Sequence, residues 1–219
     1  MGETTSIIQT LTVWLIPTLF AITIHEFAHG WVANRLGDPT ARMMGRLSLN
    51  PARHIDPVGT VLVPIIMLLF VGFMFGWAKP VPVTRENLKN PQKDMIWVAL
   101  AGPGSNLLMA LLWGLVIRLG VAIGDNSMIP GEYLILTGQA GVLINLILLL
   151  LNLLPIPPLD GSRVVSGLLP GPMAWKYSRI EPYGFIIIVA LLFTGVLGSI
   201  LQPILDSLFG FILHFIVGV

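Results

Sequence analysis

The chain has 219 residues, 55% of them hydrophobic and only 11% charged, with a mean hydropathy of +0.85; a soluble domain carries about 25% charged residues. Twelve Lys and Arg against eleven Asp and Glu leave a net charge near +1, which gives no steering toward polyanions, and the absence of Cys removes disulfides, thiolate metal sites and a Cys nucleophile. Soluble enzymes, nucleic-acid binders and disordered tails are thereby excluded, and the expectation is an all-α polytopic membrane protein forming one domain over residues 1–219.

Five apolar stretches approach or exceed the roughly 20 residues a helix needs to cross a bilayer. They are Ile7 to Asn34, Val58 to Trp77, Met95 to Val121, Tyr133 to Leu154 and Tyr183 to Ile200; a weaker one, Leu201 to Val219, contains Pro203, Asp206 and His214. About five to six transmembrane helices are expected, with a core over 7–165 and C-terminal helices over 183–219. The first stretch has no basic residue before it, is too long, and runs into a polar motif rather than a small-residue cleavage site, so it does not read as a signal peptide.

Basic residues concentrate in three connections. Arg35, Arg42, Arg46 and Arg53 lie in the first, Lys79, Arg85, Lys89 and Lys93 in the second, and Arg163, Lys176 and Arg179 in the third. The positive-inside rule therefore predicts an N-terminus outside and a cytoplasmic face carrying these loops, in a multi-pass protein of the cell membrane. Two four-charge loops flank Val58 to Trp77, and a single crossing there would split them between faces. Pro64, Gly72 and Gly76 permit a bend, so a re-entrant segment is expected at 58–83.

The first stretch carries His25-Glu26-Phe27-Ala28-His29. On a helix, positions i and i+4 share a face, so both imidazoles can reach one ion, with Glu26 beside it as an acid–base group. Unpaired ionisable groups are costly in a bilayer, which favours a metal site over two idle histidines. Neutral imidazole suits zinc, and a catalytic zinc keeps three protein ligands. The best third candidate is Asp160, in Asn152-Leu-Leu-Pro-Ile-Pro-Pro-Leu-Asp160-Gly161. Its prolines forbid a regular helix, and an extended stretch presenting Asp160 is expected. One zinc per chain follows. Since His25, His29 and Asp160 must meet at one ion, the first and fourth stretches should run in the same direction. That again leaves 58–77 with no net crossing.

These motifs, together with Ala101-Gly-Pro-Gly-Ser-Asn106 in the third stretch, resemble the site-2 protease family of intramembrane zinc metalloproteases, in a compact form without a PDZ or CBS domain. The resemblance implies an enzyme, a zinc metalloendopeptidase cutting transmembrane segments of membrane-protein substrates within the lipid bilayer in regulated intramembrane proteolysis. It implies His25, His29 and Asp160 as zinc ligands, Glu26 as catalytic base, and Asn152 as a catalytic group near the scissile carbonyl. An equally good reading of Asn152 is a backbone cap where the helix unwinds. The Ala101–Asn106 run reads as a kinked packing seam interrupting its helix, with Asn106 supporting the site from behind and Asn145 bonding between helices. His54 reads as a loop cap more than a transient ligand, and Arg163, Arg179 and Glu181 as an ion-pair cluster. The rival readings are a zinc or proton transporter and an inactive helix-binding scaffold. Neither needs a Glu poised beside an open coordination position. No nucleic-acid partner is expected, and the sequence does not set the oligomeric state.

Overall fold

A computed structural model describes residues 2–63, 66, 78–124 and 130–218. The described residues contain helices and no strands, as an apolar chain requires when its backbone groups must be satisfied internally. Helix α1 is Gly2–Arg35, followed by the short α2, Thr40–Met43. Helix α3 is Pro91–Ile123, α4 is Gly131–Asn152, α5 is Asp160–Leu168, α6 is Gly171–Ser178, α7 is Glu181–Phe193 and α8 is Val196–Ile212, which continues as a wider turn to Val217. Four of these are long and apolar enough to cross a membrane: Leu11–Arg35, Pro91–Ile123, Gly131–Asn152 and Val196–Val217. The protein is an all-α polytopic membrane protein.

Three helices form the centre. Helix α3 packs against both α1 and α4, and α1 against α4. Lipid tails are as apolar as Leu, so packing rather than water exclusion holds such helices together, and small residues at the seam count most. Gly138 and Gly141 do this here: a Cβ on either would meet Ile117 or the Trp113 ring. Ile117, Val142, Leu146 and Leu149 are buried beside them, with Ile212 and Val217 closing the cluster from the C-terminal segment.

The direction of each helix follows from its contacts. His29 bonds the Val98 carbonyl and His25 the Asn106 side chain, while Gly131 N–H donates to the Gly124 carbonyl at the other end. Helix α3 is therefore antiparallel to α1 and α4, and those two run alike, as ligation of one ion by His25, His29 and Asp160 would require. The Lys89 N–H donates to the Leu36 carbonyl at 3.0 Å, so the chain leaves α1 and enters α3 at one level. Half of the expected re-entrant segment at 58–83, residues 64, 65 and 67–77, lies outside the described residues. Within it, Pro57–Leu62 forms a helical turn capped by Asp56, and residues 78–84 run without regular structure.

Three expectations shift. Helix α3 is unbroken through Gly102 and Pro103; a proline is tolerated inside a membrane helix because packing and local adjustment compensate the missing bond. Residues 153–159 form turns rather than an extended strand, and Asp160 opens a helix. The fifth apolar stretch divides at Gly195, whose φ of 73° ends α7 and starts α8; glycine alone takes that left-handed conformation freely.

Candidate metal centre

The last third of α1 presents His25 and His29 on the face that meets α3. Gly102 makes that contact possible, because a Cβ there would overlap both imidazoles. Each ring is oriented by its Nδ1. His29 Nδ1 donates to the Val98 carbonyl at 2.7 Å, which fixes its tautomer, since a carbonyl only accepts. His25 Nδ1 lies 2.6 Å from Asn106 Oδ1. The Asn106 amide donates in turn to Asn145 Oδ1 at 2.9 Å, and Asn145 donates to the Gly141 carbonyl at 2.8 Å. This buried chain runs from α1 through α3 to α4 and directs the Asn106 oxygen at His25. It fulfils the supporting role expected of Asn106 and the interhelical role expected of Asn145.

Asp160 arrives from the opposite side. Pro155, Pro157 and Pro158 cannot extend α4 as a helix, and Gly161 lies so close to the Leu153 carbonyl that no side chain fits. The chain folds back there, and Asp160 sits in the first turn of α5, where the helix dipole favours a carboxylate. Its Oδ2 lies 3.3 Å from His25 Nε2 and 3.2 Å from His29 Nε2, and the two Nε2 atoms are 3.0 Å apart. All three residues are buried, at 7 to 8% exposure.

These distances test the fit to a cation. With protons on both Nδ1 atoms, each Nε2 offers a lone pair, and a carboxylate oxygen offers only lone pairs. Three acceptors about 3 Å apart repel one another unless a cation sits among them. Ligands about 2 Å from a tetrahedral zinc would stand roughly 3.3 Å apart, close to the spacing seen. His25, His29 and Asp160 are the group able to hold a metal ion among the described residues. The set therefore fits zinc.

Glu26 lies beside the trio, and its Oε2 accepts the Val81 N–H at 2.7 Å. Asn152 ends α4, and its Nδ2 donates to the Leu148 carbonyl at 3.0 Å, leaving a second N–H on the amide. His54 is buried, with Nε2 on the Ser48 carbonyl at 2.8 Å, and stands outside the trio. Arg179 lies over the Trp175 ring, 4.4 Å from its centroid, and the expected cluster of Arg163, Arg179 and Glu181 forms no ion pair among the described residues.

Two residues of importance here escaped the sequence reading. Asp38 is fully buried and accepts from Thr40 N–H and Oγ1, Thr84 N–H and Asn87 Nδ2. Burial raises its carboxyl pKa, but the Thr40, Asn87 and Thr84 donors outweigh this and hold it below the usual carboxylate value. Val81 is the second. An Asp-Pro-Thr run signals a turn, but nothing local signals what Val81 contacts.

The Asn106 chain predicts a measurable effect. Asn106→Leu removes the acceptor for His25 Nδ1 and strands Asn145 Oδ1 in an apolar interior. Zinc affinity should fall by about 10–100-fold, read by competition against a chromophoric chelator; unchanged affinity would separate this chain from the metal.

Curated relatives carry matching names. "Putative zinc metalloprotease YwhC" of Bacillus subtilis is 39% identical over 198 residues, covering 88% of this chain and 85% of that protein. "Putative zinc metalloprotease Rip2" of Mycolicibacterium smegmatis is 31% identical over 82% of this chain and 66% of its own length. "Putative zinc metalloprotease MJ0611" of Methanocaldococcus jannaschii is 28% identical over 77% of this chain and 80% of its own. No family model matches the chain. No solved structure matches it.

Proposed function

The chain belongs to the site-2 protease family of zinc metalloproteases, and we propose that it is an intramembrane endopeptidase that hydrolyses peptide bonds in or near transmembrane segments of other membrane proteins. One observation carries this reading: three converging lone-pair donors with a carboxylate at their side, built on helices long enough to span a bilayer. By the basic loops, the site opens toward the cytoplasmic face and the N-terminus lies outside. The 219 residues act as one domain holding one zinc.

His25, His29 and Asp160 would hold the ion. A zinc bound there would polarise the scissile carbonyl and make water acidic enough to lose a proton near neutral pH. Glu26 takes that proton on a carboxylate oxygen and later gives it to the leaving amine nitrogen. The second N–H of the Asn152 amide stabilises the negative charge that develops on the carbonyl oxygen. Asn106 and the Val98 carbonyl keep both imidazoles turned inward. A substrate helix bonds its own peptide groups internally, so it must unwind locally before its carbonyl can enter.

The test is cleavage of a labelled single-span peptide by purified protein in liposomes. Stripping zinc with a strong chelator should abolish cleavage, and added zinc should restore it. Cleavage that survives with no zinc detectable overturns the reading, as does zinc-loaded protein that cuts no membrane peptide.

A further inference from the structure

Residues 79–84, Lys-Pro-Val-Pro-Val-Thr, lie across the face of α1 that carries Glu26. Proline has no N–H, so between Lys79 and Val83 the Val81 N–H is the sole backbone donor, and it goes to Glu26 Oε2 at 2.7 Å. The Val81 side chain is buried at 7% exposure. It fills a notch over Gly30, where an added Cβ would lie 2.9 Å from Val81 Cγ1, 3.2 Å from Ala41 Cβ and 3.4 Å from Leu47 Cδ1. Glu26 and Gly30 are four residues apart and share a helix face. The missing side chain at one thus makes room for the backbone that binds the other.

Both ends of the segment are tied. Arg46 Nη2 donates to the Lys79 carbonyl at 2.8 Å, and the Lys79 N–H donates to the His54 carbonyl at 2.9 Å. At the far end, the Thr84 N–H donates to Asp38 Oδ2 at 2.7 Å. A chain fixed at two ends, with one donor between, presents that donor at one place.

We propose that residues 79–84 are a positioning strap for the base: Val81, seated over Gly30, holds one Glu26 oxygen through its N–H, so that the other keeps a single orientation. This rests on the reading of Glu26 as the base of a protease. A Glu side chain has three rotatable bonds, and a displacement of about 1 Å at a reacting group can cost on the order of 100-fold in rate. Val81 and Gly30 act through Glu26 and are positioning residues.

The test combines kinetics with a measurement that needs no turnover. Val81→Pro removes the N–H, and Gly30→Ala pushes Val81 out of its notch. Each should lower kcat by on the order of 100-fold, with KM and zinc content held. Gly30→Ala combined with Val81→Ala restores both space and N–H, and should recover most of the loss. In protein labelled with 15N-valine, the Val81 amide should exchange slowly with solvent, and at least about tenfold faster in Glu26→Ala. The strap is refuted if Val81→Pro cuts at the wild-type kcat, if the double variant is no better than Gly30→Ala, or if the Val81 amide exchanges alike with and without the Glu26 carboxylate. Should Val81→Pro fail to fold, the Gly30 pair and the exchange rates decide. Zinc-loaded wild type that cuts nothing would sink the protease reading, while amide exchange would still judge the strap.

Discussion

Glu26→Gln should bind zinc as the parent does and yet cleave a membrane peptide slower by on the order of 100- to 10,000-fold, the range a positioned general base supplies. The substitution isolates one property. Glutamine keeps the length of the side chain, and its amide oxygen can still accept the Val81 N–H that Glu26 Oε2 accepts at 2.7 Å. What it loses is the ability to take a proton. His25, His29 and Asp160 are untouched, so zinc per chain, measured after gel filtration in detergent, should not change. Cleavage within tenfold of the parent would remove Glu26 from the chemistry. Loss of zinc along with activity would mean that Glu26 supports the ion instead.

The second large effect is expected on the opposing helix. At Gly102 an added Cβ would stand 2.6 Å from Cε1 of both His25 and His29, closer than real side chains approach. Helix α3 packs against both α1 and α4, which resists its retreat. One imidazole must swing out, and the trio becomes a pair. Gly102→Ala should therefore reduce zinc binding by more than the roughly 10–100-fold seen when an outer partner is lost, and cleavage should vanish with it. Gly104→Ala is the matched control: it lies two residues on in the same helix, and nothing stands within 4 Å of its added Cβ. Equal zinc retention in the two variants would show that the seam adjusts and that Gly102 is not what admits the rings.

How much of this was legible in the sequence depends on the range of the physical signal. The helical spacing of His25 and His29 is local and unambiguous; the apolar stretches are also local, but Tyr183 to Ile200 divides between the short helix Glu181–Phe193 and the start of the span Val196–Val217. The demand that Asp160 reach the same ion carried the argument further. It required α1 and α4 to run alike: His29 to Val98 and His25 to Asn106 set α3 antiparallel to α1, and Gly131 to Gly124 sets α4 antiparallel to α3. Failures came where a residue acts by what it lacks or through its backbone. Gly102 reads as a general packing residue, and only the fold reveals which rings occupy the space it leaves. Val81 contributes an N–H, which every residue but proline owns. The flanking Pro80 and Pro82 are plain in the sequence, but what the one N–H between them reaches is not. The break at Gly195 escaped because hydropathy is continuous across it. The prolines before Asp160 do stop a helix, but turns satisfy that constraint as well as an extended strand does.

The bond between Leu36 and Lys89 has a corollary for chain length. It fastens the end of α1 to the threshold of α3, and the loop from Gly45 to His54 is stitched to Lys79 and Pro80 by Arg46 and by the His54 carbonyl. Among the described residues, these bonds anchor both flanks of residues 57–77 beside the metal-ligand trio. Lengthening that span adds closure entropy only logarithmically. A change in the length of that span leaves both anchored flanks in place, so its cost falls on chain entropy and not on the bonds beside the trio.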